Sequence, residues 1–285
     1  MIHRRTFLLS TAGLALAGPL RAAPRVEKDV VYSRPDADTT LLMDLYLPPG
    51  RGPHPAVVLV HGGGWLGGSK AGYERMGPWL AENGFVGCAI NYRLAPKHPY
   101  PAAMDDCHRA VRWIRAHAKE HGLDSRHVGA LGDSAGAHLV ALIGVRDARK
   151  DVERELRRYR ARPDAVVSNY GAHELVRMWK IEMAHRPLTA WLGGAPEQRP
   201  TEYRDASPVS MVSKGSPPFL ILHGNQDKVN PEEQSRLLHA ALREKGVDST
   251  LQVIDGAGHG WAPGTRQAQE AETATLAFLR RHLRR

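Results

Sequence analysis

Gly132-Asp133-Ser134-Ala135-Gly136 places a serine between two glycines, where an apolar run (residues 128–131) gives way to a helical one (residues 135–149). A serine on so tight a strand-to-helix reversal stands exposed at the strand's end, and small neighbours let the backbone close around it. Serine is a weak nucleophile at neutral pH, so acyl transfer also needs a base to take its proton and an acid to hold that base in one tautomer. His259, within Gly258-His259-Gly260 after the apolar run 250–254, is the candidate base. Asp227 closes His223-Gly224-Asn225-Gln226-Asp227 after the run 219–222 and is the candidate acid. His61, His138 and His223 compete for the first role; Asp255, Glu232 and Glu233 compete for the second.

A second segment supplies what a serine nucleophile lacks. His61-Gly62-Gly63-Gly64-Trp65 follows the apolar run 56–60 directly, and its glycines leave backbone N–H groups free to face an anion. The amides of Gly63, Gly64 and Ala135 are the candidate oxyanion donors, and losing one such donor typically costs about 3–4 kcal/mol in the barrier. Trp65 and Trp261, beside the glycines of their loops, are the candidate substrate-binding side chains.

These loops need a scaffold that brings them to one rim. Residues 26–32 and 41–47 read as an antiparallel strand pair at a sheet edge. Short apolar runs at 56–60, 85–91, 128–131, 165–169, 219–222 and 250–254 read as further strands. Helical patterns at 69–83, 101–121, 135–149, 231–245 and 266–282 separate them, with a turn at Asp124-Ser125-Arg126. Such alternation implies βαβ units, a mostly parallel sheet flanked by helices, and ligands beyond the strands' carboxyl ends. Residues 170–217 lose this periodicity and read as a cap-like insertion over the cleft. Its Met178, Trp179, Met183, Trp191 and Tyr203 are expected mainly to pack it onto the body.

The 285 residues suit one domain, with 42% hydrophobic and 24% charged residues. Residues 1–23 read as an export signal: Arg4-Arg5 precede an apolar run, 7–17, too short to span a bilayer. The stretch His3-Arg4-Arg5-Thr6-Phe7-Leu8 resembles the twin-arginine type, so a periplasmic or secreted enzyme without stable membrane insertion is expected. Removing that segment takes away three arginines and no acid, lowering the formal charge from +9 to +6. Much of the remaining charge lies at 146–162, where both signs alternate as on a solvated helix face, so nucleic acid is not an expected partner. Cys88 and Cys107 read as small buried hydrophobes. No Cys/His spacing suggests a metal site, and the chemistry calls for no cofactor.

As a set, the glycine-rich loop, Asn91-Tyr92-Arg93-Leu94-Ala95-Pro96, the serine elbow and His223 to Asp227 resemble the α/β-hydrolase esterases over roughly residues 40–282. They are similar to the hormone-sensitive-lipase-like branch and to bacterial feruloyl and acetylxylan esterases. Ala137 stands where that branch usually has another glycine, and Asp227-Lys228-Val229-Asn230-Pro231-Glu232 is closer to the polysaccharide-esterase branch. The resemblance implies an α/β-hydrolase fold and the Ser, acid, His chain order that Ser134, Asp227 and His259 satisfy. The expected activity is hydrolysis of small or short-chain acyl esters, with acetyl or feruloyl groups on saccharides in view. A prolyl-oligopeptidase-like peptidase and a catalytically silent binding protein are the rivals; the first usually carries a propeller for which 285 residues leave no room.

Overall fold

The computed structural model describes residues 23–148 and 154–284, so the expected export signal lies outside all but the first of them. Eight strands form one sheet in the order β1-β2-β4-β3-β5-β6-β7-β8. They are β1 (Arg25–Asp36), β2 (Thr39–Leu47), β3 (His54–Val60), β4 (Val86–Ile90), β5 (Leu123–Asp133), β6 (Val166–Asn169), β7 (Phe219–Gly224) and β8 (Ser249–Ile254). The β1/β2 and β2/β4 pairs are antiparallel, and every pairing from β4 through β8 is parallel. This is the α/β-hydrolase architecture.

The central strands are apolar throughout because both sheet faces are covered. Successive β3 residues divide accordingly: Val58 joins one core cluster, while Val57 and Leu59 join the other. The first cluster takes in α2 (Ala102–Ala116), α4 (Ala135–Val145) and α9 (Glu233–Glu244). The second is closed by α1 (Met76–Glu82) and α10 (Arg266–Leu283). Cys88 and Cys107 are buried free thiols in the first cluster. Residues 175–211 carry α5 (Leu175–Met178), α6 (Glu182–Leu192), α7 (Pro200–Asp205) and α8 (Pro208–Met211).

Several elements depart from the sequence expectation for identifiable reasons. The helix expected at 69–83 is a 3₁₀ turn, Lys70–Tyr73, followed by α1; Gly72 weakens helix there. The helix expected at 101–121 breaks at His117, whose imidazole lies 3.0 Å from the Trp113 carbonyl oxygen, and resumes as α3 (Ala118–His121). Asp124-Ser125-Arg126 belongs to β5 rather than to a turn. Every residue of α4 is buried, so the charged run beyond it cannot continue the helix, and Arg146 turns to extended backbone. Of 146–162, residues 149–153 lie outside the described residues; the rest holds a 3₁₀ turn at Arg154–Leu156 and an Arg162–Asp147 ion pair rather than a solvated helix.

Three buried imidazoles make the fold acid-sensitive. Burial lowers the pKa of His108 to about 3, of His138 to about 4, and of His173 well below its ordinary value. An unfolded imidazole titrates near 6.5. Below that pH the unfolded chain takes up protons that the folded chain refuses, so stability is complete above about 6.5 and declines toward the folded values. Three such groups give a slope of up to about 4 kcal/mol per pH unit. Thermal melts at about pH 7.5 and 5.5 should therefore show a clear drop in Tm. An unchanged Tm would contradict neutral burial of these rings.

Candidate active site

Ser134 sits between the end of β5 and the start of α4 with φ 54° and ψ −117°, a conformation sparsely populated by residues other than glycine. Two close approaches create it. A Cβ on Gly136 would lie 1.9 Å from the Val60 carbonyl oxygen, and one on Gly132 would lie 2.3 Å from that of Gly136. The Ser134 amide donates to Asn169 O (2.9 Å), which ties the elbow to β6.

The three candidate residues meet here. His259 Nε2 lies 2.9 Å from Ser134 Oγ, and His259 Nδ1 lies 2.7 Å from Asp227 Oδ2. A carboxylate only accepts, so Nδ1 carries the proton and Nε2 presents its lone pair to the serine hydroxyl. The Asp227 side chain is wholly enclosed. Its Oδ1 accepts from the amides of Val229 and Asn230 (2.8 and 2.9 Å), and His223 Nε2 approaches Oδ2 at 3.3 Å. Burial opposes its ionisation, but contacts from His223, His259 and the Asn230 amide outweigh burial and hold its pKa well below the usual carboxylate range.

The competing histidines have other positions. His223 Nδ1 meets Ser235 Oγ at 2.6 Å, so this ring braces the acid from behind. The His61 ring stacks on Tyr92 at 4.2 Å, and its Nδ1 donates to Gly62 O. His138, fully buried on α4, accepts from Trp65 Nε1 (3.3 Å) and donates from Nε2 to Ala206 O (2.7 Å). Asp255 accepts from Asn225 Nδ2 (2.8 Å), and Asp106 holds the Arg93 guanidinium by both Nε and Nη2.

Gly63, Gly64 and Trp65 have successive positive φ values of 116°, 60° and 62°, coiling the loop after β3 so that Gly62, Gly63 and Gly64 line one cavity with Ser134 and Ala135. Leu66 and Gly67 donate to Gly63 O, which holds the coil. Ala135 begins α4, where the first amides have no intrahelical acceptor. The arrangement brings together unshielded donors, a nucleophile and a base, the components that acyl transfer requires.

The two tryptophans part company. Trp65 lines the cavity but is only 5% exposed; its indole stacks on Trp191 of α6 (4.7 Å, 7°) and bonds His138. It therefore pins the glycine loop to the insertion as well as offering an edge to substrate. Trp261 is not among the lining residues: it packs edge-on against Tyr170 (4.8 Å) beside the α1/α10 core, because Gly260 (φ 99°) turns the chain behind His259. In this structure Trp261 packs behind Tyr170, outside the lining of that cavity.

The cavity holds about 500 Å³, and its apolar wall comes from the insertion through Met178, Met183, Pro187 and Leu188, with Val229 facing them. The sequence reading cast both methionines mainly as packing residues, yet both face the cavity, and Met183 is 58% exposed at its mouth. Asn230, Tyr170 and Asp133 also line it and were given no role from sequence. No local signal marked Asn230: its backbone amide closes the Asp227 turn, which any residue but proline can do, and its side chain bonds Tyr170 O, distant in the chain. Among the described residues there is no group of three or more His, Cys, Asp or Glu that could hold a metal, and no helix long and apolar enough to cross a membrane.

The chain is 34% identical to Esterase LipC of Mycobacterium tuberculosis over 241 residues, covering 81% of this chain and 59% of that one. Other curated relatives are also longer, the chain spanning 48% and 58% of two further mycobacterial ones. A carbohydrate esterase from gut microbiota superposes with a TM-score of 0.81 at 25% identity, covering 93% of this chain and 98% of that one. An acetyl ester-xyloside bifunctional hydrolase from Caldicellulosiruptor lactoaceticus gives 0.79 at 27% identity, covering 91% and 97%. The BD-FAE family model matches residues 43–242, which includes Ser134, Asp227 and the glycine loop, and the chain belongs to that family.

Proposed function

We propose that this protein is a carboxylic ester hydrolase that works through an acyl-enzyme on Ser134. The observation that carries this reading is the continuous contact from Ser134 Oγ to His259 (2.9 Å) to Asp227 (2.7 Å), opening onto a cavity rimmed by the amides of the glycine loop. As Oγ attacks the ester carbonyl, His259 Nε2 takes its proton, and Asp227 stabilises the imidazolium that forms. The tetrahedral oxyanion is held by the amides of Ala135 and of Gly63 or Gly64. His259 then gives the proton to the leaving alkoxide as the carbon–oxygen bond breaks. Water, deprotonated by the same ring, attacks the acyl-enzyme in the reverse sense and frees the carboxylic acid and Ser134.

The apolar wall suits the uncharged acyl part of a small or short-chain ester. Likeness to a carbohydrate esterase and to an acetyl ester-xyloside hydrolase supports a saccharide as the alcohol, with acetyl and feruloyl groups as the acyl parts to test first. The amino-terminal sequence supports export to the periplasm or medium. Purified protein should hydrolyse p-nitrophenyl acyl esters and release acid from acetylated or feruloylated saccharides. No release from any ester, or rates for Ser134→Ala equal to the wild type, would remove the reading; cleavage of peptides in preference to esters would favour the peptidase rival.

A further inference from the structure

Tyr170 meets the His259 ring, the Asn230 side chain whose residue amide donates to Asp227, and the neighbourhood of Asp133 beside Ser134. It follows β6 with φ +45°, a backbone conformation that a bulky side chain adopts only when its surroundings hold it there. Those surroundings are specific. Its amide donates to Leu222 O of β7 (2.7 Å). Its carbonyl accepts from Asn230 Nδ2 (2.8 Å), and the Asn230 amide in turn donates to Asp227 Oδ1 (2.9 Å). Its ring meets the His259 imidazole edge-on at 4.9 Å, with Trp261 packed behind it at 4.8 Å. Its hydroxyl and the carboxylate of Asp133, the residue immediately before Ser134, are close enough to interact electrostatically.

Asp133 is anchored independently. Asn169 Nδ2 donates to its Oδ1 (2.9 Å), while the nearby Tyr73 hydroxyl donates to Val60 O (2.9 Å). Burial, with the Asp133 carboxylate nearby, pushes the Tyr170 hydroxyl well above its ordinary pKa, so it stays protonated. The groups facing this corner are Ser134 and Asp133 at the elbow, Tyr73 below, Asn169 after Ser168, and His259 with Asp227 from the two later loops.

From these contacts we propose that Tyr170 is a positioning residue: its ring, held by the Asn230 and Leu222 bonds to its backbone and by Trp261 behind it, fixes the plane of the His259 imidazole between Ser134 and Asp227. This rests on the esterase reading above. An imidazole free to rock about its Cα–Cβ axis would lose one of two hydrogen bonds that must be aligned together, and a misplacement of about 1 Å in such a relay can cost roughly a hundredfold in rate. The positive φ and the small Gly171 beside it fit a segment that must deliver one ring to one place.

The test compares Tyr170→Phe and Tyr170→Leu with the wild type by ester kinetics and by the low-field proton resonance of His259 Nδ1. Tyr170→Leu should lower kcat about a hundredfold, with KM within about threefold, and should lose or broaden the resonance. Tyr170→Phe keeps the ring, so it should retain kcat within about tenfold and keep the resonance. Should the leucine variant fail to fold, Trp261→Leu, which withdraws the support behind the ring, carries the same test, with a fall in kcat and a broadened resonance expected. A leucine variant with unchanged kcat, or one whose whole loss lies in KM, would overturn the proposal by making Tyr170 a mere wall of the cavity. So would a phenylalanine variant as impaired as the leucine one. A wild type that hydrolyses no ester would remove the esterase reading, while the resonance would still report whether Tyr170 holds His259.

Discussion

Ser134→Ala should lower kcat on a p-nitrophenyl ester by about 10⁶-fold while leaving KM and thermal stability near the wild-type values. The size follows from the role. Without Oγ there is no acyl-enzyme, and the remaining loop amides and cavity can only assist direct attack by water. The small change in stability follows from the contacts: the Ser134 side chain serves as no helix cap, and its backbone conformation is imposed by the approaches of Gly132 and Gly136. The strained φ of 54° costs alanine no less than serine. Measuring kcat, KM and Tm together checks this, because a shared fall in rate and Tm would point to damage to the elbow rather than loss of a nucleophile.

Asp227→Asn should cost about 10⁴-fold in kcat, less than loss of the serine but far more than loss of a hydrogen bond alone. The amide oxygen can still accept from the Val229 and Asn230 amides. Its NH₂ group, however, would face either His259 Nδ1 or His223 Nε2, both donors in the wild type. His259 would then place its proton on Nε2, toward Ser134, in the tautomer that cannot act as base. Stability changes with a definite sign. The Asp227 pKa is depressed in the folded state, so its ionised form contributes stability above the unfolded value near 4, and that contribution fades as pH falls toward the folded value. The stability gap between Asp227→Asn and the wild type should therefore be widest near neutrality and narrow below about pH 4. A gap that widens on acidification would contradict an ionised, hydrogen-bonded Asp227.

The reacting groups could be read from sequence because local pattern sets them. Residues 56–60, 128–131 and 219–222 are unbroken apolar runs that only a doubly covered strand accommodates, and each is followed at once by a loop holding a glycine and a candidate residue. Parallel pairing then places those loops at one rim. The insertion was less legible: α5, α7 and α8 are too short to display a period, and Pro187, Pro200 and Pro208 interrupt the pattern. A signal was nonetheless present in Ala184, Leu188, Trp191 and Leu192, whose spacing marks the buried stripe of α6.

The fate of the aromatics depended on partners distant in the chain. Trp65 is held by His138 and Trp191, and Trp261 by Tyr170, and neither pairing leaves a trace in local sequence. Tyr170 went unremarked for the same reason. Its significance lies in joining three loops rather than in a motif of its own.

The central claim is that Ser134 becomes acylated, and the most direct measurement is covalent trapping. Protein incubated with a slowly turning-over activated ester or an organophosphate, then digested and analysed by mass spectrometry, should carry the added mass on the peptide containing Ser134. The adduct should be absent from Ser134→Ala and should form far more slowly in His259→Ala. An adduct on another residue, or continued ester turnover by a protein whose Ser134 is never modified, would contradict the account.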